Sequence, residues 1–111
     1  MNIFRLFAFS EDKEFARELV KQLLKELPVD LMEKRSKVIS VNKITRLLEH
    51  TYLRVGQYQQ EKQRGFVRQA VLAYTFRWEL KSHGYSPDFV NLATEGLVVE
   101  LARIRKKVES N

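Results

Sequence analysis

The chain contains no cysteine, only two histidines, two prolines and four glycines among its 111 residues. Without cysteine there is no disulfide framework and no thiolate zinc site, a composition that suits a reducing compartment. With so few helix breakers, long helices are expected, and each Gly or Pro becomes a marker of where one ends. No apolar run approaches the roughly 18 residues of a membrane span. The opening Ile3-Phe4-Arg5-Leu6-Phe7-Ala8-Phe9 runs directly into Glu11 and Asp12, without the apolar stretch and small-residue cleavage site of a secretory signal. A cytoplasmic location is the expectation. The chain also lacks a glycine-rich phosphate loop. Neither His50 nor His83 has a second ligand at metal spacing on its own helix, and Glu14-Glu18 and Glu95-Glu100 lack the Glu-x-x-His pattern of a di-iron bundle. No enzyme activity, metal or cofactor is therefore expected.

What is present is an uneven charge. Lys and Arg number 20 against 14 Asp and Glu. The segment from Lys34 to Arg68 holds nine basic residues and only two acids, Glu49 and Glu61, so this third of the chain carries the whole positive excess. Such asymmetry describes what a surface attracts rather than how the chain folds.

Apolar periodicity predicts an all-α fold, a small bundle of about four helices in a single domain, 1–111, with helices near 10–27, 40–63, 66–83 and 87–107. Ser10 is the expected N-cap of the first, and Leu27-Pro28 ends it, because Pro disfavours helical geometry in the residue before it. Residues 28–39 carry the β-branched Val38 and Ile39, yet offer no partner for a sheet. Gly65 marks the joint between the second and third helices. Gly84 is a natural C′ residue, and Ser86-Pro87-Asp88 a strong restart signal. The third helix has apolar residues over most of its circumference, from Phe66 and Val67 to Trp78 and Leu80, which predicts a central, mostly buried element.

Four groups of residues are candidates for function. Lys43, Arg46, His50 and Arg54 follow at spacings of three and four on the second helix, within an arc of roughly 80°. Lys and Arg in such a row supply charge along a surface, and Arg can grip an oxyanion with two hydrogen bonds. An ordinary solvated helix face is the competing explanation, but Glu49 alone cannot neutralise the row through i,i+4 pairs. Arg77 and Glu100 each interrupt an apolar pattern, and pairing with one another would offset the cost of burying either. Leu92, Gly96 and Val99 line a second side of the last helix, where a glycine permits close approach of another backbone, and so suggest a two-fold homodimer contact; cover by residues 28–39 or by the N-terminal segment is the competing explanation. Finally, residues 2–9 set three phenylalanines around Arg5, a pattern that either dips into an anionic membrane surface or closes one end of the bundle.

Together these features describe a small, intracellular, non-enzymatic helical binding or adaptor protein that docks an acidic partner on the basic face of its second helix. Nucleic acid held by the same face is the alternative partner, and peripheral membrane association through residues 2–9 a further one. Helix-turn-helix spacing is absent, and exposed aromatics interleaved with basic residues are not evident in the sequence.

Overall fold

A computed structural model describes residues 3–34, 41–62 and 65–110. It contains five helices: α1 (Ile3–Glu26), α2 (Val29–Lys34), α3 (Val41–Lys62), α4 (Phe66–Ser82) and α5 (Pro87–Ser110). The fold is a small all-α bundle of four long helices with the short α2 added. Helix α1 begins earlier than expected. Ser10 lies inside it rather than capping it, so residues 3–9 continue α1 instead of forming a separate segment. Val38 and Ile39 lie outside the described residues.

Each long helix contributes one stripe to a common core. From α1 come Ala16, Leu19, Val20, Leu23 and Leu27, all almost wholly buried; from α3 come Leu48 and Val55, from α4 Leu72, Phe76 and Leu80, and from α5 Ala93, Leu97 and Leu101. Burying such an aliphatic or aromatic side chain contributes about 1.5–3 kcal/mol. Helix α1 packs on α4 and α3, and α5 packs on the same two, so α3 and α4 occupy diagonal corners of the bundle. Tyr52 meets Ala93 and Gly56 lies next to Ile104, so α3 and α5 advance in the same direction.

The joint between α4 and α5 forms as its residues dictate. Gly84 has a positive φ of 97°, its N–H donates to the Lys81 carbonyl, and the Tyr85 N–H donates to the Leu80 carbonyl. These two bonds close the C-terminal motif that a glycine at C′ permits. Ser86 then accepts the Phe89 N–H on its hydroxyl at 3.2 Å, with Pro87 in the first turn of α5. Tyr85 fastens this joint to the end of α1 by donating its hydroxyl to the Leu27 carbonyl at 2.6 Å. That carbonyl belongs to the group that a helix end leaves without an internal partner.

The expectation that the third long helix, α4, is central and mostly buried is corrected by the structure. Its inner side buries Gln69, Leu72, Ala73, Thr75, Phe76 and Leu80, but its outer side leaves Phe66, Val67, Tyr74 and Trp78 more exposed than buried. A corner helix in a four-helix bundle has one side facing outward whatever its composition, and an apolar side chain there simply remains wet.

Candidate functional site

On α3 the core-facing side is set by Leu48, Thr51, Val55 and Tyr58, and the basic row falls on another side. Lys43, Arg46 and His50 are exposed, whereas Arg54 is half-buried. The row is therefore a solvent-facing strip, with three of its four members exposed. Next to it, between α3 and α5, runs an open groove of about 500 Å³ with Leu53 and Ile104 as its apolar residues and Gln57, Gln60, Glu100, Arg103 and Lys107 as its polar ones. Arg103 does not add uncompensated charge. Its Nε donates to Glu100 at 3.2 Å and a second guanidinium nitrogen donates to the other carboxylate oxygen, and this bonding holds the Arg103 pKa above its ordinary value.

The same bonds overturn the expected Arg77–Glu100 ion pair. The Glu100 carboxylate is taken by Arg103, one turn along the same helix, while Arg77 stands exposed on the outer side of α4. The physical reason is the one that corrects α4 itself. The side shared by Arg77, Phe66, Ala70 and Tyr74 faces water, so the guanidinium needs no buried partner.

Leu92 and Val99 are exposed, as a self-association surface requires, but Gly96 is already accounted for within the chain. A methyl group on Gly96 would overlap the Tyr52 ring, standing 2.7 Å from Cζ and 2.9 Å from Cε2. The glycine makes room for Tyr52 to donate its hydroxyl to the Ala93 carbonyl at 2.8 Å. Burial pushes the pKa of that phenol up to about 12.

Among the described residues, further polar links add to these. Tyr58 donates to the buried carboxylate of Asp12 at 2.6 Å and stacks on Phe15 with ring centroids 4.0 Å apart. Arg17 joins Glu14 of its own helix to Glu79 of α4, at 3.4 and 3.1 Å. His83, at the C-cap of α4, lies 3.6 Å from Glu79. Among the described residues no group of three or more His, Asp or Glu is arranged to hold a metal ion. No helix among them is long and apolar enough to cross a membrane. The side chains of residues 2–8, on which the membrane-surface expectation rests, lie outside the described residues, and Phe9 is half-buried.

The structure also exposes a feature that the sequence reading missed. Phe66, Tyr74 and Trp78 stand on the outer side of α4 together with Arg77 and Lys81, so exposed aromatics interleaved with basic residues are present after all. The signal lay in Arg77 and Lys81, which recur at helical spacing from Ala70 and Tyr74 and so identify that side as wet.

Comparison with protein-family models, with curated proteins and with solved structures yields no match. The geometry of the two exposed faces is thus what bears on function.

Proposed function

We propose that the protein is a non-enzymatic helical binding module that docks an acidic protein surface on the basic strip of α3. The observation that carries this reading is the outward presentation of Lys43, Arg46 and His50 on a strip whose helix offers one acid, Glu49, among its first 19 residues. A strip of like charge attracts an anionic surface at long range and fixes its register on contact. Arg54, half-buried at the end of the row, is the member best held to give a directed guanidinium contact. The groove between α3 and α5 lies alongside and supplies Leu53 and Ile104 as apolar contacts for the same partner. Leu92 and Val99 remain the surface for a second copy of the chain, in a contact made without Gly96.

The test is charge reversal at the three exposed positions, Lys43→Glu, Arg46→Glu and His50→Glu. Exposed substitutions move stability by about 0.5 kcal/mol or less each, so helical circular dichroism and the melting temperature should stay close to wild type. Affinity capture from extract treated with nuclease should yield an acidic protein on wild type that is lost from the variant and released as salt rises. A partner retained by the folded variant ends the proposal, and a partner lost on nuclease treatment replaces protein with nucleic acid as the occupant.

A further inference from the structure

The outer side of α4 carries an apolar surface that the bundle leaves uncovered. Phe66 is 65% exposed, Val67 60%, Tyr74 72% and Trp78 58%. With Ala70, Arg77 and Lys81 they fill an arc of roughly 120°. This side spans Phe66 to Lys81, about 22 Å at the helical rise. Beside it, between α4 and α5, runs an open groove of about 310 Å³ whose floor includes Ala70, Ala73 and Ala102, walled by Phe66 and Val98. Small residues flanked by large ones form the kind of channel into which the side-chain ridge of another helix packs. Isolated apolar side chains on a surface need no explanation, but four large ones on one side of a single helix, with Ala70 among them, mark an interaction surface.

Charge selects the occupant. None of the α4 residues on this side is acidic; its charged members are Arg77 and Lys81. The single carboxylate of α4, Glu79, is turned to Arg17 of α1. At the end of the groove Arg105 lies over the Phe66 ring, 4.9 Å from its centroid, so the groove lining also includes a cation and no acid. A partner helix that lays an apolar stripe into the groove would have its borders opposite Arg77, Lys81 and Arg105, where Glu and Asp fit and Lys does not. Single-stranded nucleic acid fits less well. Stacking needs a series of open ring faces; Tyr74 and Trp78 offer two, but the Phe66 ring is covered by Arg105, and Val67 with the alanines of the groove gives a base no aromatic face there.

We infer that the outer face of α4 and the adjoining α4–α5 groove form a second docking surface, whose occupant is an amphipathic helix of a partner protein with an apolar stripe bordered by carboxylates. This goes beyond the reading of the α3 strip and uses none of its residues. Because α3 and α4 sit at diagonal corners, the two surfaces can be engaged at once, which is the arrangement of an adaptor.

Trp78 is the only tryptophan in the chain and stands on this face, so its fluorescence reports occupancy directly. The probe is a synthetic amphipathic helix of about sixteen residues, long enough to cover the face, with a leucine stripe bordered by Glu. A matched peptide with Lys in place of Glu is the control. The Glu peptide should shift Trp78 emission to the blue in a saturable way, with affinity about tenfold or more above that of the Lys peptide. The shift should disappear in the Tyr74→Ala/Arg77→Glu variant, whose exposed substitutions leave the helical spectrum unchanged. It should persist in the α3 charge-reversal variant, which separates this inference from the α3 proposal. Equal or absent response to the two peptides overturns it. So does a Trp78 shift produced only by phosphatidylserine vesicles or by oligothymidylate, or a wild-type dimer that Trp78→Ala dissociates.

Discussion

Tyr52, Tyr58 and Tyr85 each carry a hydroxyl away from water, and each donates it to an acceptor on another part of the bundle: Ala93, Asp12 and Leu27 respectively. A ring supplies apolar area while its hydroxyl fixes orientation, so such residues stabilise and specify packing together. The Tyr58 bond to the Asp12 side chain is buried, and such a hydrogen bond contributes about 0.5–1.5 kcal/mol, or about 1.5–3 kcal/mol where the acceptor is ionised. Tyr58→Phe keeps the stacking on Phe15 and should lower stability by about that amount in urea denaturation, whereas an effect below about 0.5 kcal/mol would mean that the bond is not formed in solution. Gly96→Ala tests the second tyrosine. An alanine in a helix interior gains about 1 kcal/mol over glycine, but here its methyl displaces the Tyr52 ring, at an overpacking cost of about 1–3 kcal/mol and with loss of a hydrogen bond that contributes about 0.5–1.5 kcal/mol. The net result should be destabilisation by about 1–3 kcal/mol. In a Tyr52→Ala background the sign should reverse, because the obstruction is gone and only the helix preference remains. A Gly96 whose purpose is contact with a second copy would instead show the same effect in both backgrounds.

At the scale of whole elements, the turn from α4 to α5 is the best-specified part of the chain. Gly84 holds a left-handed conformation that costs a residue with a Cβ about 1–2 kcal/mol, and Ser86 caps the next helix, a contribution of about 0.5–2 kcal/mol. Gly84→Ala and Ser86→Ala should each lower the urea midpoint by the corresponding amounts with no change in its slope, and a changed slope would point to a different folded state instead. This joint was legible because Gly, Ser and Pro act through backbone geometry, which neighbours on other helices cannot alter. The stop at Leu27-Pro28 was legible for the same reason. The start of α1 was not: serine is tolerated inside a helix, so Ser10 resembled a cap while the helix in fact reaches back to Ile3. The exposed side of α4 was hidden by a different ambiguity. Apolar composition states what a helix is able to bury, not what its neighbours cover, and a corner position left Phe66, Val67, Tyr74 and Trp78 without cover. Reading α4 as buried then forced a partner on Arg77 and produced the mistaken pair with Glu100. By contrast the α3 row was legible because spacing alone places Lys43, Arg46 and His50 on one side, and the core lies elsewhere.

For the molecule as a whole, the tyrosines predict how the bundle responds to alkali. Burial pushes the pKa values of Tyr52 and Tyr85 up from 10.0 to about 12, because the interior disfavours the phenolate. The unfolded chain therefore releases these protons first as pH rises. Their contribution is fully present below about pH 10 and is lost between about 10 and 12, after which the folded phenols ionise as well. The two sit at separate fastenings, Tyr85 between the end of α1 and the α4–α5 joint, Tyr52 between α3 and α5. Loss of both therefore loosens every long helix of the bundle in one step. Lysine deprotonation over the same range works in the opposite direction, since it relieves the self-repulsion of a chain with a net charge of +6. Comparison with Tyr52→Phe/Tyr85→Phe separates the two effects. The double variant should be less stable than wild type at neutral pH, having lost two hydrogen bonds, yet its stability should fall less steeply between pH 10 and 12. Urea midpoints measured across that range, together with the ultraviolet absorbance of tyrosinate, follow unfolding and ionisation on the same samples. Parallel pH profiles for the two proteins would show that these hydroxyls are open to water in solution, and with that the fastening of α1 and α3 to α5 through them would fall.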